Sequence, residues 1–164
     1  MDRPSAADAL RGLGFLIRDV SRLNARNFER HASGLGLTLA QCRALCYVQR
    51  FEGASQARLA EWSDTDPMTL GRVLLRMEAE GYIERRTDPN DGRAHRLYLT
   101  SKAAPTLERI WRLADRTLGE ALSGLRASER DQLLSLLGRM RDNLDAATSE
   151  SERGASRRPQ RKAA

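Results

Sequence analysis

Apolar residues recur at intervals of three and four positions over three long stretches of the chain, which predicts three amphipathic helices. The first helix is expected over residues 6–31, the second after residue 100 and the third from residue 128. The third stretch steps by 4, 3 and 4 positions, as in a heptad repeat. The stripe positions, apolar except for Asn24, are Leu10, Leu13, Ile17, Val20, Asn24 and Phe28; Leu107, Ile110, Trp111, Ala114, Leu118 and Leu122; and Leu133, Leu137, Met140 and Leu144.

Helix-start signals predict shorter helices in the middle of the chain. Thr38 and Gln41 have the spacing of a capping box, in which a hydroxyl and an amide bind the first free backbone N–H groups. They open a helix that ends near residue 50. Ser55 is the N-cap of a second short helix over 56–62.

Asp66 followed by Pro67 starts another helix, because proline loses no hydrogen bond at the first helical position. This helix ends at Gly81, where glycine can leave the helical conformation. The inward side chains are expected to be Leu70, Val73, Leu74 and Met77, and the outward ones Met68, Thr69, Arg72 and Arg76.

The period then changes from helical to β-like. Residues 82–86 and 96–100 form two short β-like runs, and apolar and polar residues alternate in the second. Residues 88–93 between them are rich in turn formers. The sequence therefore predicts a β-hairpin that carries four arginines, Arg85, Arg86, Arg93 and Arg96.

The order of these elements predicts a fold that is mainly α with a small β-hairpin wing (α+β), namely a winged helix-turn-helix over residues 37–100. The helix that begins at Pro67 is the recognition helix, since a helix start attracts phosphate and the major groove admits one helix. A narrow arginine-tipped loop suits the minor groove. The expected DNA contacts are Pro67, Met68 and Arg72 to base edges, Thr69 and Arg76 to the backbone, and Arg85 and Arg93 from the hairpin.

Composition is consistent with a nucleic-acid partner but does not decide it. The chain has 28 basic and 22 acidic residues, a net charge of +6, and lysine only at positions 102 and 162. Arginine suits phosphate and guanine edges, but a GC-rich coding sequence produces the same bias. The positions of the arginines therefore carry the argument.

The sequence favours neither an enzyme nor a metal protein. Cys42 and Cys46 lie four positions apart on a predicted helix, too far for an intrahelical disulfide. With His31 and His95 they make no zinc-ligand pattern, and the chain has no glycine-rich phosphate loop. No cofactor is expected. The longest apolar run is about five residues against the roughly twenty of a membrane span, and the N-terminus has no signal-peptide pattern, so a cytoplasmic location is expected.

Residues 59–61, 70–86, 88–93 and 97–100 resemble, in order and spacing, the motifs of the MarR family of winged helix-turn-helix transcriptional regulators. The resemblance implies an obligate homodimer on a pseudo-palindromic operator in double-stranded DNA, acting as a repressor released by a small anionic aromatic effector. Arg72 and Arg93 match the family's DNA-contacting arginines, and Asp88 and Asp91 match the acidic residues that brace the wing.

The resemblance also implies a domain organisation. Residues 6–36 and 101–146 form a helical dimerisation region around the winged domain, and residues 147–164 are expected to be a disordered basic tail. Departures from the family pattern are Gly71 for serine or threonine, Gly92 for a second wing arginine, Ala103 for glycine, and Pro105 early in its helix.

For several residues the sequence permits either a functional or a structural role. Arg22, His31, Cys42 and Trp111 are candidate effector ligands, although surface charge explains the first two and core packing the last two. Core packing is likewise expected of Trp62. Cys42 and Cys46 are either structural or the thiols of a redox-sensing regulator. A winged helix that binds protein instead of DNA is the other alternative.

Overall fold

The computed structural model describes the backbone of residues 6–156 and the side chains of residues 10–92 and 94–149. It is mainly helical with one β-hairpin, as the sequence predicts. The elements are α1 (Ala6–His31), a 3₁₀ turn (Ser33–Leu35), α2 (Leu39–Arg50), α3 (Gln56–Trp62), α4 (Pro67–Ala79), β1 (Ile83–Asp88), β2 (Asp91–Leu99), α5 (Ala103–Ala121) and α6 (Ala127–Ser156).

The chain divides into two compact units, residues 1–121 and 122–164. The core of the first unit lies between α2, α4, α5 and the base of the hairpin. Among the described helices, none has the length and apolar content that crossing a bilayer requires. The most deeply buried side chains are Leu45, Val48, Leu59, Leu74, Met77 and Leu97.

The predicted helix starts are confirmed in atomic detail. Thr38 and Gln41 form the capping box: the Thr38 hydroxyl accepts from the Gln41 N–H, and Gln41 Oε1 accepts from the Thr38 N–H at 2.9 Å. The Ser55 hydroxyl caps α3 by accepting from the Arg58 N–H. These bonds involve residues three apart, so the sequence alone is enough to predict them.

The hairpin has longer strands and a shorter turn than the sequence predicts. Strand pairing runs from Ile83 opposite Leu99 to Asp88 opposite Asp91, with an irregularity after Thr87. Only Pro89 and Asn90 remain in the turn, because cross-strand polar contacts order the residues expected to be loop. A bridge between Ser55 and Arg96 adds a third short segment to the antiparallel sheet.

Two expectations of side-chain placement are wrong. Trp62 and Trp111 are not core residues, since 39% and 45% of their surfaces are exposed. Each lies at the edge of its helix's buried stripe: Trp62 stacks on Phe51 at 4.0 Å, and Trp111 donates to Gln49 Oε1 at 2.8 Å. The Thr100 hydroxyl, which precedes α5, donates to the Gly81 carbonyl at 2.6 Å.

The predicted disordered tail also needs correction over its first ten residues. Helix α6 continues through residues 147–156 to Ser156, and residues 157–164 lie outside the described part of the chain. Alanine, glutamate and arginine are good helix formers, so a stretch without an apolar period can still extend an existing helix. The Thr148 hydroxyl donates within the helix to the Leu144 carbonyl at 2.9 Å.

Apolar side chains remain exposed on α1 and on α6. In α1 only the C-terminal end is buried, where Phe28 joins the core. The apolar residues exposed on α1 include Leu10, Phe15, Leu16, Val20 and Leu23, and those on α6 include Leu133, Leu134, Leu136, Leu137 and Leu144.

Candidate nucleic-acid interface

Helix α4 has one buried and one exposed face, divided as the sequence predicts. Leu70, Leu74 and Met77 anchor the buried face in the core, and Val73 is partly buried. The exposed face carries Pro67, Met68, Thr69, Arg72, Leu75 and Arg76. Met68 is 69% exposed, although methionine usually packs inside.

The start of α4 is held by its own N-cap. Asp66 Oδ1 accepts from the Thr69 N–H at 2.9 Å and from the Thr69 hydroxyl at 3.0 Å. These bonds, with Arg72 nearby, hold the pKa of Asp66 below its usual value. The ionised carboxylate offsets the helix dipole, so the cationic side chains and not the bare helix terminus provide the attraction for phosphate.

The arginines around α4 differ in whether a carboxylate neutralises them. Arg72 is exposed and forms no ion pair with any residue whose side chain the structure describes. Arg76, one turn further on, donates from Nε to Glu80 Oε1 at 2.8 Å. Its side chain remains 68% exposed, so water weakens this pair.

Arg85 is engaged inside the winged domain. Its Nε donates to Glu78 Oε2 at 2.9 Å and its Nη1 to Gln56 Oε1 at 3.4 Å. Only 26% of its side chain is exposed. Among the predicted DNA contacts that the structure describes, Arg85 therefore differs from Arg76: its guanidinium has two partners and is mostly covered, whereas Arg76 has one partner and stays exposed.

Asp88 braces the hairpin near its turn. Its carboxylate accepts from Arg96 Nε at 2.8 Å and from the Asn90 N–H at 2.9 Å. The hydrogen bond from Arg96, followed by that from Asn90, holds the pKa of Asp88 below its usual value, and the Asp91 N–H contributes. The side chain of Arg93, in β2 next to the turn, lies outside the described side chains.

Arg86 stands directly opposite Arg96 in the strand pairing but has partners of its own. It pairs with Glu84, with Nε 2.8 Å from Oε1, and its guanidinium lies 4.2 Å from the centre of the Tyr98 ring. An arginine held by an anion and an aromatic face stays ordered at an exposed position.

The candidate effector residues are not brought together in one cavity. Arg22 pairs with Asp19 on α1 at 2.6 Å, and His31 pairs with Glu120 on α5 at 3.0 Å. Hydrogen bonds from Asn27, then His31, hold the pKa of Glu120 below its usual value. Trp111 is exposed, and Cys42 is buried in the core.

The cysteines have the environment of structural thiols. Burial raises the pKa of Cys42, and burial together with the neighbouring Cys42 raises the pKa of Cys46 to about 11. A redox sensor needs an accessible thiol with a lowered pKa, whereas both of these thiols have a raised pKa. Within the described part of the chain, no group of histidine, cysteine and carboxylate side chains could hold a metal ion.

Sequence reasoning missed a cavity of about 470 Å³ between the end of α1, the 3₁₀ turn, the start of α2 and α4. Gln41 lines it and is only 3% exposed, yet its Nε2 has no hydrogen-bond partner among the described residues. The capping box uses only the oxygen of that amide. The cavity is lined by Phe28, Glu29, Ala32, Ser33, Gly36, Leu37, Thr38, Leu39, Gln41 and Arg76.

A model of the MarR family matches residues 37–95 of the chain. The uncharacterized HTH-type transcriptional regulator YybA of Bacillus subtilis (strain 168) is 26% identical over 150 residues, which cover 92% of this chain and 97% of YybA. These relatives are described as transcriptional regulators and not as enzymes.

Solved structures of MarR and of a related regulator have a similar fold. A cysteine-to-serine mutant of MarR from E. coli, complexed with operator DNA, superposes with a TM-score of 0.68 at 28% identity, covering 84% of this chain and 99% of that one. BpsR of Bordetella bronchiseptica, whose DNA binding is regulated by 6-hydroxynicotinic acid, gives 0.67 at 25% identity, covering 79% and 92%. In its matched motifs, its winged helix fold and these relatives, the chain is similar to the MarR family of DNA-binding transcriptional regulators.

Proposed function

We propose that this regulator binds a pseudo-palindromic operator as a homodimer, represses transcription there, and is released by a small anionic aromatic molecule. The observation that carries the proposal is the exposed face of α4, where Arg72 has no internal partner among the described side chains and Met68 is solvent-exposed although the opposite face is fixed in the core. An exposed helix with an unneutralised arginine beside a basic hairpin suits a major groove and its phosphates.

Each side chain of α4 has a role that follows from its chemistry. Arg72 would contact a guanine edge or a phosphate, and Pro67 and Met68 would pack against base edges such as a thymine methyl. Thr69 is already bound to Asp66, so its role would be at the backbone. Arg93 would enter the adjacent minor groove, where the negative potential attracts arginine.

Dimerisation is supported by the apolar side chains that α1 and α6 each leave exposed. Contiguous exposed apolar surface marks an interaction site in soluble proteins. Residues 6–36 and 101–146 would form the dimer interface, so that two recognition helices reach half-sites about 34–36 Å apart.

The cavity at the start of α2 is the site we propose for the effector. Phe28, Leu37 and Leu39 offer an apolar wall for an aromatic ring, and Gln41 Nε2 and Arg76 offer donors for a carboxylate. Arg76 belongs to the recognition helix, so an anion bound there would act on the DNA-binding element. Regulation of the relative BpsR by 6-hydroxynicotinic acid supports an aromatic acid as the class of effector.

DNA binding is tested by mobility shift with the DNA upstream of the protein's own gene, at micromolar protein and low salt. Arg72→Ala and Arg93→Ala should each weaken the complex at least about fivefold, since a base-reading arginine contributes roughly 1–3 kcal/mol. Arg112→Ala is the matched control for the loss of one exposed arginine outside the winged domain, and its dimer mass is measured alongside because α5 belongs to the proposed dimer interface. Wild-type affinity in both test variants would instead favour a winged helix that binds protein.

The effector site is tested with Gln41→Glu. Glutamate keeps the oxygen that caps α2 but replaces the unpartnered donor with an acceptor, which repels a carboxylate. Aromatic acids such as 6-hydroxynicotinic acid should release the wild-type protein from the upstream DNA and leave the variant bound. Release of both proteins at the same acid concentration would place the effector elsewhere.

A further inference from the structure

Gln56, at the start of α3, contacts two elements of the winged domain with one side chain. Its Nε2 donates to the Pro67 carbonyl in the first turn of α4 at 3.4 Å. Its Oε1 accepts from Arg85 Nη1 in β1, also at 3.4 Å. Arg85 in turn donates to Glu78, near the end of α4, at 2.9 Å. The recognition helix is thus tied near both its ends to the same pair of side chains.

Gly71 provides the space in which the Gln56 side chain lies. A Cβ atom at position 71 would stand 2.9 Å from Gln56 Nε2, closer than Cβ atoms approach other heavy atoms in real structures. Glycine in a helix interior lowers stability relative to alanine. Glycine at position 71 therefore weakens the helix, but any larger residue there would displace the Gln56 side chain.

We infer that Gln56 is a positioning residue, which sets the orientation of the recognition helix relative to the hairpin, and that Gly71 is required because it leaves room for that side chain. This inference rests on the proposed DNA binding. Gln56 contributes no charge, and it acts through the Pro67 carbonyl and the Arg85 guanidinium rather than through the duplex. Arg85 is accordingly a partner of Gln56 within the domain and not a phosphate ligand.

The test is a double-mutant cycle of Gly71→Ala and Gln56→Ala. Gly71→Ala should raise the melting temperature, because alanine favours the helix and the displaced atom is the free end of a flexible side chain. It should nevertheless weaken binding to the upstream DNA about fivefold to tenfold, as should Gln56→Ala, a size typical of coupled neighbouring residues. The double variant should bind about as well as Gln56→Ala alone.

The slope of affinity against salt should match the wild type in all three variants, because no cation is removed. Multiplying losses in the double variant would show that Gly71 does not act through Gln56 and would overturn the inference. So would wild-type affinity in Gly71→Ala.

Hydrogen exchange of the DNA-free protein separates positioning from direct contact. Both single variants should exchange faster in β1, with α5 unchanged as the internal control. Gln56→Ala should also exchange faster in the first two turns of α4, whereas in Gly71→Ala the alanine itself stabilises those turns. Unchanged exchange together with weakened DNA binding would mean that Gln56 itself contacts DNA. Because exchange and melting need no DNA, failure of the wild-type protein to bind the upstream duplex would count against the proposed function alone.

Discussion

The arginines around the recognition helix differ in whether a carboxylate binds their guanidinium group, a difference that their positions in the sequence do not reveal. Arg85 is held by Glu78 with most of its side chain covered, whereas the pair between Arg76 and Glu80 is open to water. Exposed pairs contribute between about 0 and 1 kcal/mol, so Arg76 can change partner readily. Arg72 forms no ion pair with a described side chain, so its guanidinium can bind a ligand without first breaking such a pair.

Replacement of Arg72 by lysine keeps the charge and removes the planar fork that binds two acceptors at once. If Arg72 reads a base edge, operator affinity should fall by about 1–3 kcal/mol, with an unchanged salt slope and unchanged affinity for a scrambled duplex. Fluorescence-anisotropy titrations at several salt concentrations measure all three quantities. Equal losses on both duplexes would identify Arg72 as a phosphate contact.

The thiols provide a second prediction for single residues. With the pKa of Cys46 at about 11, the thiolate is scarce at pH 8, whereas unfolded cysteine has a pKa of about 8.5. Iodoacetamide should therefore modify Cys46 more than about tenfold faster in urea than in the folded protein. Mass spectrometry of timed samples measures both rates, and Cys42→Ser resolves the two sites. Comparable rates in the two conditions would restore the thiol-sensor interpretation.

The hairpin is an element whose stability should depend on the charge of one carboxylate. The hydrogen bond from Arg96, with that from Asn90, lowers the pKa of Asp88 in the folded protein, so the ionised form stabilises the hairpin. Since the unfolded pKa is about 3.9, this contribution is present above that pH and lost as pH falls through the lower folded value.

Asp88→Asn should therefore loosen the hairpin at neutral pH and remove this acid transition from it. Amide signals of β1 and β2 followed by NMR from neutral to acidic pH measure the effect, with signals of α2 as the reference. The idea fails if the two proteins lose their hairpin signals at the same pH. Weaker operator binding by Asp88→Asn at neutral pH would also be expected, because the hairpin presents Arg93.

Elements governed by near neighbours could be predicted from the sequence, and those governed by distant ones could not. The caps at Thr38, Ser55 and Asp66 join residues three apart, so their spacing sufficed. The exposed face of α4 followed from its period. The exposure of Trp62 did not, because two neighbouring faces of a short helix look alike until the position of Phe51 is known.

The same reasoning applies to the candidate site. Arg72 could be identified because its position on the helix face sets its exposure. Gln41 and Gln56 could not, since their roles depend on a cavity wall and on a strand 29 positions away. The only sequence signal for the role of Gln56 was that Gly71 departs from the family pattern. That signal could be interpreted only once the structure showed how close position 71 lies to the Gln56 side chain.

At the scale of the whole molecule, the apolar side chains of α1 are exposed while its C-terminal end is packed in the core. Burying a leucine or valine side chain contributes about 1.5–3 kcal/mol, so a second copy of the chain would gain substantially by covering several of them. The proposed dimer therefore depends on these side chains, whereas the fold of a single winged domain does not.

Leu16→Glu and Val20→Glu should accordingly produce a folded monomer, because both positions are more than half exposed in the single chain and a buried carboxylate disfavours an interface. Analytical ultracentrifugation should show half the wild-type mass, with the helical circular dichroism signal largely retained. Operator affinity should fall by orders of magnitude, because two linked half-site contacts become independent ones. Leu75→Glu is the matched control for the mass measurement only: Leu75 is 63% exposed on α4, so that variant should remain dimeric, although a carboxylate on the DNA-facing side of α4 should weaken operator binding. Full dimer mass in both α1 variants would mean that α1 does not form the interface, whereas full operator affinity in a true monomer would remove the need for two recognition helices on one duplex.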